Sequence, residues 1–224
     1  EVDDAELAAE GRRRLAAMQR QVPEPLAAAI GCGLDVSSPY AQMIVDIGDG
    51  VTDIAVIASG DVVIANAVRT ACSDLHVAVR DAVAHRYGVL VDLREAERLT
   101  IAAGVALDAC EGELSSSGRC GSSGERVTFQ LALADVARAM HPQVQLIVDA
   151  LCSTVRDLPL ITSCEVIESG VCLTGGGARL RGMAELLAGA TSLDVRPAAD
   201  PLYSVINGAR KMLGVGSRTG IWAN

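Results

Sequence analysis

Three short apolar segments follow one another between residues 43 and 68, and they constrain the fold more than any other part of the sequence. They read MIVDIG, DIAVIAS and DVVIANAV, are rich in Val and Ile, and are separated by turn residues. Short runs of this composition are typical of β-strands rather than helices. We therefore predict three consecutive strands, the last two joined by a hairpin at residues 59–61.

Helical periodicity occurs both before and after these strands. Apolar spacing and proline positions predict helices over residues 3–20, 25–33, 73–86, 92–103, 142–158 and 179–188, and a last helix that Asp200 caps and Pro201 begins. Pro142 is expected to set the start of the longest helix. Further strands are predicted in the segments RVTFQLAL, GVCLTGGG and LDVRP. Residues 108–126 are the least ordered part of the sequence pattern, and the segment SSSGRCGSSGE within them is predicted to form a Ser/Gly loop. Meandering strands followed by alternating helices and strands indicate an α/β sheet domain, with residues 88–131 as an insertion.

Composition excludes several classes of function. The chain of 224 residues is 50% apolar, enough for a packed core, but it has one Phe, one Trp and three Tyr. Scarce aromatic residues and a net charge of -9 argue against nucleic acid as a partner. No apolar run reaches the roughly 18 to 20 residues that span a bilayer. Seven scattered cysteines without a CxxC pair predict reduced thiols in a cytoplasmic protein and no zinc site.

The loop DIGDGVTD lies between the first two predicted strands and contains the first candidate site. Backbone N–H groups around Gly48 and Gly50 are unshielded by side chains and can form a nest for an anion such as phosphate. Asp46 ends the preceding strand, where a carboxylate could hold hydrated Mg²⁺, and Asp53 follows the loop. The alternative is an ordinary hairpin turn in which glycine supplies a positive φ.

A second glycine cluster, LTGGGARLRG, follows a predicted buried strand and precedes a helix. Gly175, Gly176 and Gly177 would let the backbone approach a flat ligand or a phosphate closely. The alternative is tight packing of a helix on a strand. Two such loops after strands favour a ligand site, because ligands of α/β sheets collect at the carboxyl ends of strands.

Glu24, between Pro23 and Pro25 at a helix start, has the rigid setting that a water-orienting base requires. A plain glutamate of the first helical turn is the alternative interpretation. The three histidines show no ligand spacing and are expected to be surface or packing residues.

Three of these segments, in this order, are similar to those of one protein family. The segments PEPLAAAIGCGLDV, MIVDIGDGVTDIAVIASGDVV and SGVCLTGGGARLRGMAELL resemble the first connecting segment, the second phosphate loop and the adenosine loop of MreB-type bacterial actin homologues. The ending DPLYSVINGARKML resembles the closing helix of that family, within the actin, DnaK-chaperone and sugar-kinase superfamily. The TGGGA and DPL patterns favour MreB-type proteins over a DnaK-type chaperone fragment.

The resemblance implies an actin-like, ribonuclease H-like α/β domain of which only the carboxyl-terminal part is present. Residues 1–38 would be the helical tail of the first actin-like half, 39–214 the second half with an inserted subdomain at about 88–131, and 215–224 a tail. In this family ATP and Mg²⁺ occupy a cleft between the two halves. The resemblance assigns the β and γ phosphates to Gly48, Asp49 and Gly50, adenosine to Gly175, Gly176 and Gly177, Mg²⁺ to Asp46 and the attacking water to Glu24.

The chain departs from the family pattern at several places. Asp49 and Val51 alter the usual DIGGGTT loop, and Cys72 replaces a glycine. Thr100 and Ala102 stand where the family typically has a Lys and a Glu that touch the nucleotide. The first phosphate loop, a DxGT-type segment, does not occur in the sequence, so nucleotide binding is expected to be weakened or lost. The absence of an initial Met also suggests part of a longer product.

Two functions follow from this comparison. The first is an MreB-like, nucleotide-binding protein of the bacterial cell-shape cytoskeleton that forms ATP-dependent filaments, in a truncated or divergent form. The second is a non-catalytic actin-like half-domain that binds or caps filaments of a full-length relative. Both predict a cytoplasmic protein whose partners are itself, a full-length relative or the cell-shape machinery, with any membrane association through partners.

Overall fold

A five-stranded mixed sheet forms the centre of the structure, a computed structural model that describes residues 22–106 and 112–219, with side chains to residue 212. The helix predicted over residues 3–20 lies outside the described residues. The strands of this sheet are β1 (Gln42–Ile47), β2 (Thr52–Ala58), β3 (Asp61–Val68), β7 (Val171–Thr174) and β8 (Val195–Pro197). Their spatial order is β3-β2-β1-β7-β8. The first three pair in antiparallel fashion, as the sequence predicts, whereas β1, β7 and β8 are parallel.

Helices surround this sheet. They are α1 (Glu24–Cys32), α2 (Cys72–Tyr87), α3 (Leu93–Ala103), α4 (Leu133–Arg156), α5 (Leu160–Ser169), α6 (Met183–Thr191) and α7 (Ser204–Thr219), with short 3-10 turns at Gly176–Arg179 and Pro201–Tyr203. Within the described residues, none of these helices is both long and apolar enough to cross a membrane.

Both faces of β1 and β2 are covered, which explains why their sequences are almost continuously apolar. Ile44 and Ile57 pack with Ala28 and Ala29 of α1 on one face. Val45 and its neighbours join the larger core formed with α2 and α4 on the other face. The outer strand β3 is much more exposed, as expected at a sheet edge.

A second, three-stranded sheet contradicts the first part of the predicted Ser/Gly loop, because residues 115–120 lie in a strand. Its strands are β4 (Val89–Leu90), β5 (Glu113–Cys120) and β6 (Arg126–Ala132), all antiparallel. The Ser/Gly-rich residues form β5 because each pairs with a residue of β6, as Ser117 does with Thr128. Ser116 also donates a 2.6 Å hydrogen bond from its hydroxyl to Glu95 of α3. Cross-strand pairing therefore outweighs the weak strand propensity of serine and glycine.

Two helix predictions are also wrong in part. The longest helix begins at Leu133 and ends at Arg156, with Pro142 inside it. Its apolar face is buried on both sides of the proline, so packing outweighs the lost N–H donor. The helix α5 was not predicted. The helix predicted over residues 179–188 occupies Met183–Thr191 instead.

The last helix also starts later than its capping signal suggests. Pro201 begins a 3-10 turn rather than α7, and the Asp200 carboxylate caps neither element. Its backbone carbonyl instead accepts a 3.2 Å hydrogen bond from the Ser204 hydroxyl. The sequence signal therefore predicted a helix in this region correctly but not its first residue.

Helices α1 and α7 cross closely through two glycines. A Cβ atom at Gly31 would overlap the carbonyl of Ser204, and one at Gly208 would overlap the carbonyl of Ala27. Lys211 donates a 2.9 Å hydrogen bond to a carbonyl in the last turn of α1, where a cation is favoured by the helix dipole. This crossing fixes α1, and with it Glu24, against the sheet.

Two glycine substitutions should have opposite effects on stability, because Gly208 lies at the helix crossing and Gly189 does not. Gly208→Ala should lower the free energy of unfolding by about 1 to 3 kcal/mol, because the helices must separate to admit the methyl group. Gly189→Ala in α6 is the matched control, since a Cβ atom there meets nothing within 4 Å. It should raise the free energy of unfolding by about 0.5 to 1 kcal/mol. Urea unfolding followed by circular dichroism tests this, and equal effects would contradict the close crossing.

Candidate functional site

The parallel pairing of β1 and β7 brings the two glycine loops together. Asp46 lies opposite Thr174 at the carboxyl ends of these strands, so the loops that follow leave the sheet at the same level. An ideal Cβ atom at Gly175 would lie 2.3 Å from the Asp46 carboxylate. The two segments predicted separately from the sequence are therefore in direct contact.

The first glycine loop is held by the start of α2. The amide of Cys72 donates to the carbonyl of Gly48 at 3.2 Å, and the amide of Ser73 donates to the carbonyl of Asp49 at 2.8 Å. The Ser73 hydroxyl donates to the same Asp49 carbonyl at 2.7 Å. With the carbonyls turned towards α2, the amides of residues 49–51 have no acceptor among the described residues. These amides are free to bind an anion.

The conformation of this loop differs from the hairpin alternative. Neither Gly48 nor Gly50 has a positive φ. Gly48 instead closes the loop by donating from its amide to the carbonyl of Val51 at 3.1 Å. A Cβ atom at Gly50 would meet no atom within 4 Å, so glycine leaves the space over the free amides open. Open space above unshielded donors is what a bound phosphate requires.

The second glycine cluster is packed tightly on the first strand. Gly175 has φ +80°, which favours glycine, and its amide donates to the carbonyl of Pro201 at 3.1 Å. A Cβ atom at Gly177 would lie 2.3 Å from a side-chain methyl of Ile47. Gly176 is less restricted and lies near Cys72. Tight packing therefore accounts for both Gly175 and Gly177, while Gly175 and Gly176 also line the cavity described below.

Hydroxyl groups beneath this cluster join three elements. The hydroxyl of Thr174, which is fully buried, donates to the Ser204 hydroxyl at 2.6 Å. The Cys32 thiol donates to the same Ser204 oxygen at 3.3 Å. These contacts connect β7 with the end of α1 and the start of α7, and they fix the strand from which the second glycine cluster emerges.

Three carboxylates approach one another at the edge of the site. Burial, and after it the nearby charges of Glu24 and Asp53, raise the pKa of Asp46 to about 6. Burial and the charge of Glu24 also raise the pKa of Asp53. Glu24 is exposed in the first turn of α1, after Pro23, whose carbonyl accepts from the amides of Leu26 and Ala27. Mutual repulsion of this kind is relieved by a cation.

The residues present fit a hydrated Mg²⁺ ion better than a directly ligated metal. Among the described residues, no three His, Cys, Asp or Glu side chains form a metal-binding group. Mg²⁺ usually keeps several of its waters and uses one or two carboxylates together with ligand phosphates. Asp46 beside a loop of free amides matches this pattern.

A cavity of about 420 Å³ lies over the two loops. Of the residues predicted for the site, Asp46, Gly48, Asp49, Gly175 and Gly176 line it. Gly50, Gly177 and Glu24 lie outside the lining, although Glu24 interacts electrostatically with Asp46. The structure therefore brings most of the predicted residues to one place.

The sequence interpretation missed eight residues of the lining, which are Cys72, His76, Glu97, Ile101, Arg179, Leu180, Pro201 and Leu202. Two pairs of them are spaced by four residues, Cys72 with His76 on α2 and Glu97 with Ile101 on α3, and this spacing places side chains on one helix face. The spacing is the sequence signal that could have identified these residues, whereas His76 is predicted only as a surface or packing residue.

Burial raises the pKa of the Cys72 thiol to about 11, so this cysteine is not a nucleophile at neutral pH.

The two positions that depart from the family pattern on α3 do not line this cavity. Thr100 is fully buried and its hydroxyl has no hydrogen-bond partner among the described residues, and Ala102 is half-buried. Glu97 and Ile101 are the α3 residues that line the cavity. Any contact between α3 and a ligand in this cavity would therefore come from Glu97 and Ile101.

Comparisons with known sequences identify relatives of the chain. A family model described as MreB/Mbl protein matches residues 8–218. The cell shape-determining protein Mbl of Bacillus subtilis is 36% identical over 191 residues, which are 85% of this chain and 57% of that protein. The cell shape-determining protein MreB of Escherichia coli K12 is 36% identical over 193 residues, 86% of this chain and 56% of that protein. The chain thus spans a little over half the length of these curated relatives.

Solved structures share the fold. MreB5 of Spiroplasma citri bound to ADP superimposes with a TM-score of 0.82 at 23% identity, covering 98% of this chain and 69% of that one. The MamK double helical filament gives a TM-score of 0.70 at 20% identity, covering 86% of this chain and 59% of that one. These similarities confirm the actin-like α/β fold.

The raised pKa of Asp46 predicts that this residue destabilises the ligand-free protein at neutral pH. A carboxyl group with a pKa of about 6 when folded and about 3.8 when unfolded binds its proton more tightly in the folded state. Stability therefore rises as pH falls from about 6 towards 3.8 and is lowest when the group is ionised. In magnesium-free buffer, Asp46→Asn should raise the free energy of unfolding at pH 7.5 by about 1 to 2 kcal/mol, after allowance for partial exposure.

The advantage of Asp46→Asn should shrink below pH 6 and be absent at pH 3.8 and below, as measured by urea unfolding across this range. Asp61→Asn removes the same charge at an exposed position and is the control. A stabilisation by Asp46→Asn that does not change with pH would show that charge burial is not its cause.

Proposed function

The chain belongs to the MreB/Mbl family, and on this basis we propose that it binds a magnesium nucleotide, with ATP as the expected ligand, at the cavity over its two glycine loops. The observation that carries the proposal is the contact between Gly175 and Asp46, which joins both loops in one site. One relative of the same fold, MreB5 of Spiroplasma citri, has been solved bound to ADP and to AMPPNP.

The phosphates would bind at the first glycine loop. The free amides of residues 49–51 supply hydrogen-bond donors, and the open space over Gly50 lets an anion reach them. Asp46 would hold Mg²⁺ through its water ligands. The ion, when bound, neutralises phosphate charge and lowers the energy of a phosphoryl transition state.

The nucleoside would lie between the second glycine cluster and apolar side chains. Ile101 and Leu202 line the cavity although about half of each side chain is exposed, at 54% and 50%. Exposed apolar groups facing a cavity suit the flat face of a base. Gly176, with no side chain, lets the base approach the backbone.

Glu24 is proposed to position the attacking water if hydrolysis occurs. It is held in the first turn of α1, and it interacts electrostatically with Asp46 and Asp53. Positioning and charge neutralisation are the main requirements of phosphoryl transfer to water. The alternative, a non-catalytic half-domain, is favoured by the replacement of the family Lys and Glu at Thr100 and Ala102.

Assembly into filaments with its own copies or with a full-length relative is the cellular part of the proposal. Its relatives Mbl and MreB are cell shape-determining proteins, and MamK, of the same fold, has been solved as a double helical filament. We propose a cytoplasmic location, which the free cysteines among the described residues fit, with any membrane association through partners.

Removal of the Asp46 carboxylate tests the nucleotide site. Asp46→Ala should weaken Mg-ATP binding at least tenfold, because the hydrated ion loses its protein carboxylate, while Asp61→Ala at an exposed position should change it less than twofold. Isothermal titration calorimetry with the full 224-residue chain measures both. No saturable binding by the wild-type chain, or equal affinity in both variants, would overturn the nucleotide proposal.

Ile101, one of the two exposed apolar residues that line the cavity, offers a separate test of nucleoside contact. Ile101→Ala should weaken ATP binding about threefold to tenfold and leave the binding of inorganic tripolyphosphate unchanged, since that ligand has no base to contact the side chain. Ile167→Ala, an exposed isoleucine of α5, is the control. Equal losses for ATP and tripolyphosphate would contradict the assigned orientation.

A measurement of ATP hydrolysis distinguishes an ATPase from a non-catalytic half-domain. Phosphate release that falls at least tenfold in Glu24→Ala, with Mg-ATP affinity preserved, would support an ATPase. Saturable binding without measurable release would support the non-catalytic half-domain instead.

A further inference from the structure

A second cavity, of about 550 Å³, lies in the part of the chain that forms the three-stranded sheet. Its walls come from the end of β4, the first turn of α3 and the facing ends of β5 and β6. Three arginines line it, namely Arg94, Arg119 and Arg126. It shares no lining residue with the cavity over the glycine loops.

These arginines lack charged partners. None of the three forms an ion pair with a residue that the structure describes. Arg119 has one long contact, 3.4 Å to the carbonyl of Gly124, and Arg126 has one of 3.5 Å to the Ser117 hydroxyl. Five N–H donors on each guanidinium therefore remain largely available. In a chain with a net charge of -9, three uncompensated cations around one cavity are unexpected.

The strand register places two of these charges against each other. Arg119 of β5 is directly opposite Arg126 of β6. Side chains at such positions lie on the same face with Cβ atoms about 4.5 to 5.5 Å apart, and like charges there are destabilising. A bound anion between them would relieve this repulsion.

The carboxylates in the same wall do not neutralise the arginines. Glu95 is bound by Arg98 and by the Ser116 hydroxyl, which together lower its pKa. Asp92 accepts from the amide of Glu95 at 2.8 Å and caps α3. Three guanidinium groups thus face one carboxylate that is not already ion-paired.

We propose that this arginine-lined cavity binds a phosphate-bearing anion of small-molecule size. Guanidinium groups bind phosphate through paired, charge-assisted hydrogen bonds. The volume is within the range of about 300 to 1,000 Å³ that small-molecule sites occupy. The ligand is either a soluble phosphorylated compound or the headgroup of an anionic lipid, since both present the same chemistry. The site is independent of the proposed nucleotide site.

Pyrophosphate in magnesium-free, low-salt buffer is the direct probe, titrated by calorimetry into the full chain. Arg126→Gln should weaken its binding at least tenfold, and Arg119→Gln should do the same from the opposite strand. Arg156→Gln, an exposed arginine of α4, removes the same charge away from the cavity and should change the affinity less than twofold. No saturable binding, or equal affinity in Arg126→Gln and Arg156→Gln, would rule out a soluble phosphorylated ligand at this cavity.

Thermal unfolding gives a second measurement that does not depend on heats of binding. Pyrophosphate should raise the melting temperature of the wild-type chain and of Arg156→Gln but not that of Arg126→Gln. Without pyrophosphate, Arg126→Gln should melt no lower than the wild-type chain, because it removes the repulsion across the strand pair. An equal rise in all three proteins would place the anion elsewhere and contradict the proposal.

Vesicles distinguish the two sources of phosphate. Sedimentation with phosphatidylglycerol vesicles that is lost in Arg126→Gln, retained in Arg156→Gln and absent with phosphatidylcholine would identify a lipid headgroup. Pyrophosphate binding that depends on Arg126, without sedimentation, would identify a soluble ligand. Failure of both ligands to bind in an Arg126-dependent way would overturn the proposal.

Discussion

The parallel pairing of β1 with β7 is the contact on which the candidate site depends. Its register sets Asp46 beside Thr174, and the backbone of Gly175 then lies against Asp46 so closely that no side chain fits between them. The helix α2 completes the arrangement, since its first amides donate to the carbonyls of Gly48 and Asp49 in the first glycine loop. Sheet register, glycine packing and a helix start thus combine to leave one group of amides free.

This arrangement concentrates negative charge as well as donors. Asp46 is partly buried and lies near Glu24 and Asp53, so its ionised form is unfavourable in the absence of a cation. A cation bound near these carboxylates would relieve their repulsion. The second cavity shows the opposite case, because three arginines without ion pairs to described residues line it.

Sequence patterns predicted the elements that depend on local chemistry. The meandering strands, the helices α2 and α3 and both glycine loops agree with the structure, because apolar runs and turn residues act over a few positions. The strand β5 was missed because serine and glycine favour it only when β6 is available to pair. The start of α4 was misplaced because burial of its apolar face outweighs the effect of Pro142.

The sequence by itself determined which residues could bind phosphate and in what order they occur, since glycine spacing and a carboxylate after a strand are local features. The tertiary structure decided which of them share a cavity, and it added Glu97, Ile101 and His76, whose positions depend on how α2 and α3 pack against each other and against α4. It also showed that Gly177 serves packing against Ile47. Contacts between residues far apart in the chain are set by the register and packing of whole elements, which no short sequence pattern specifies.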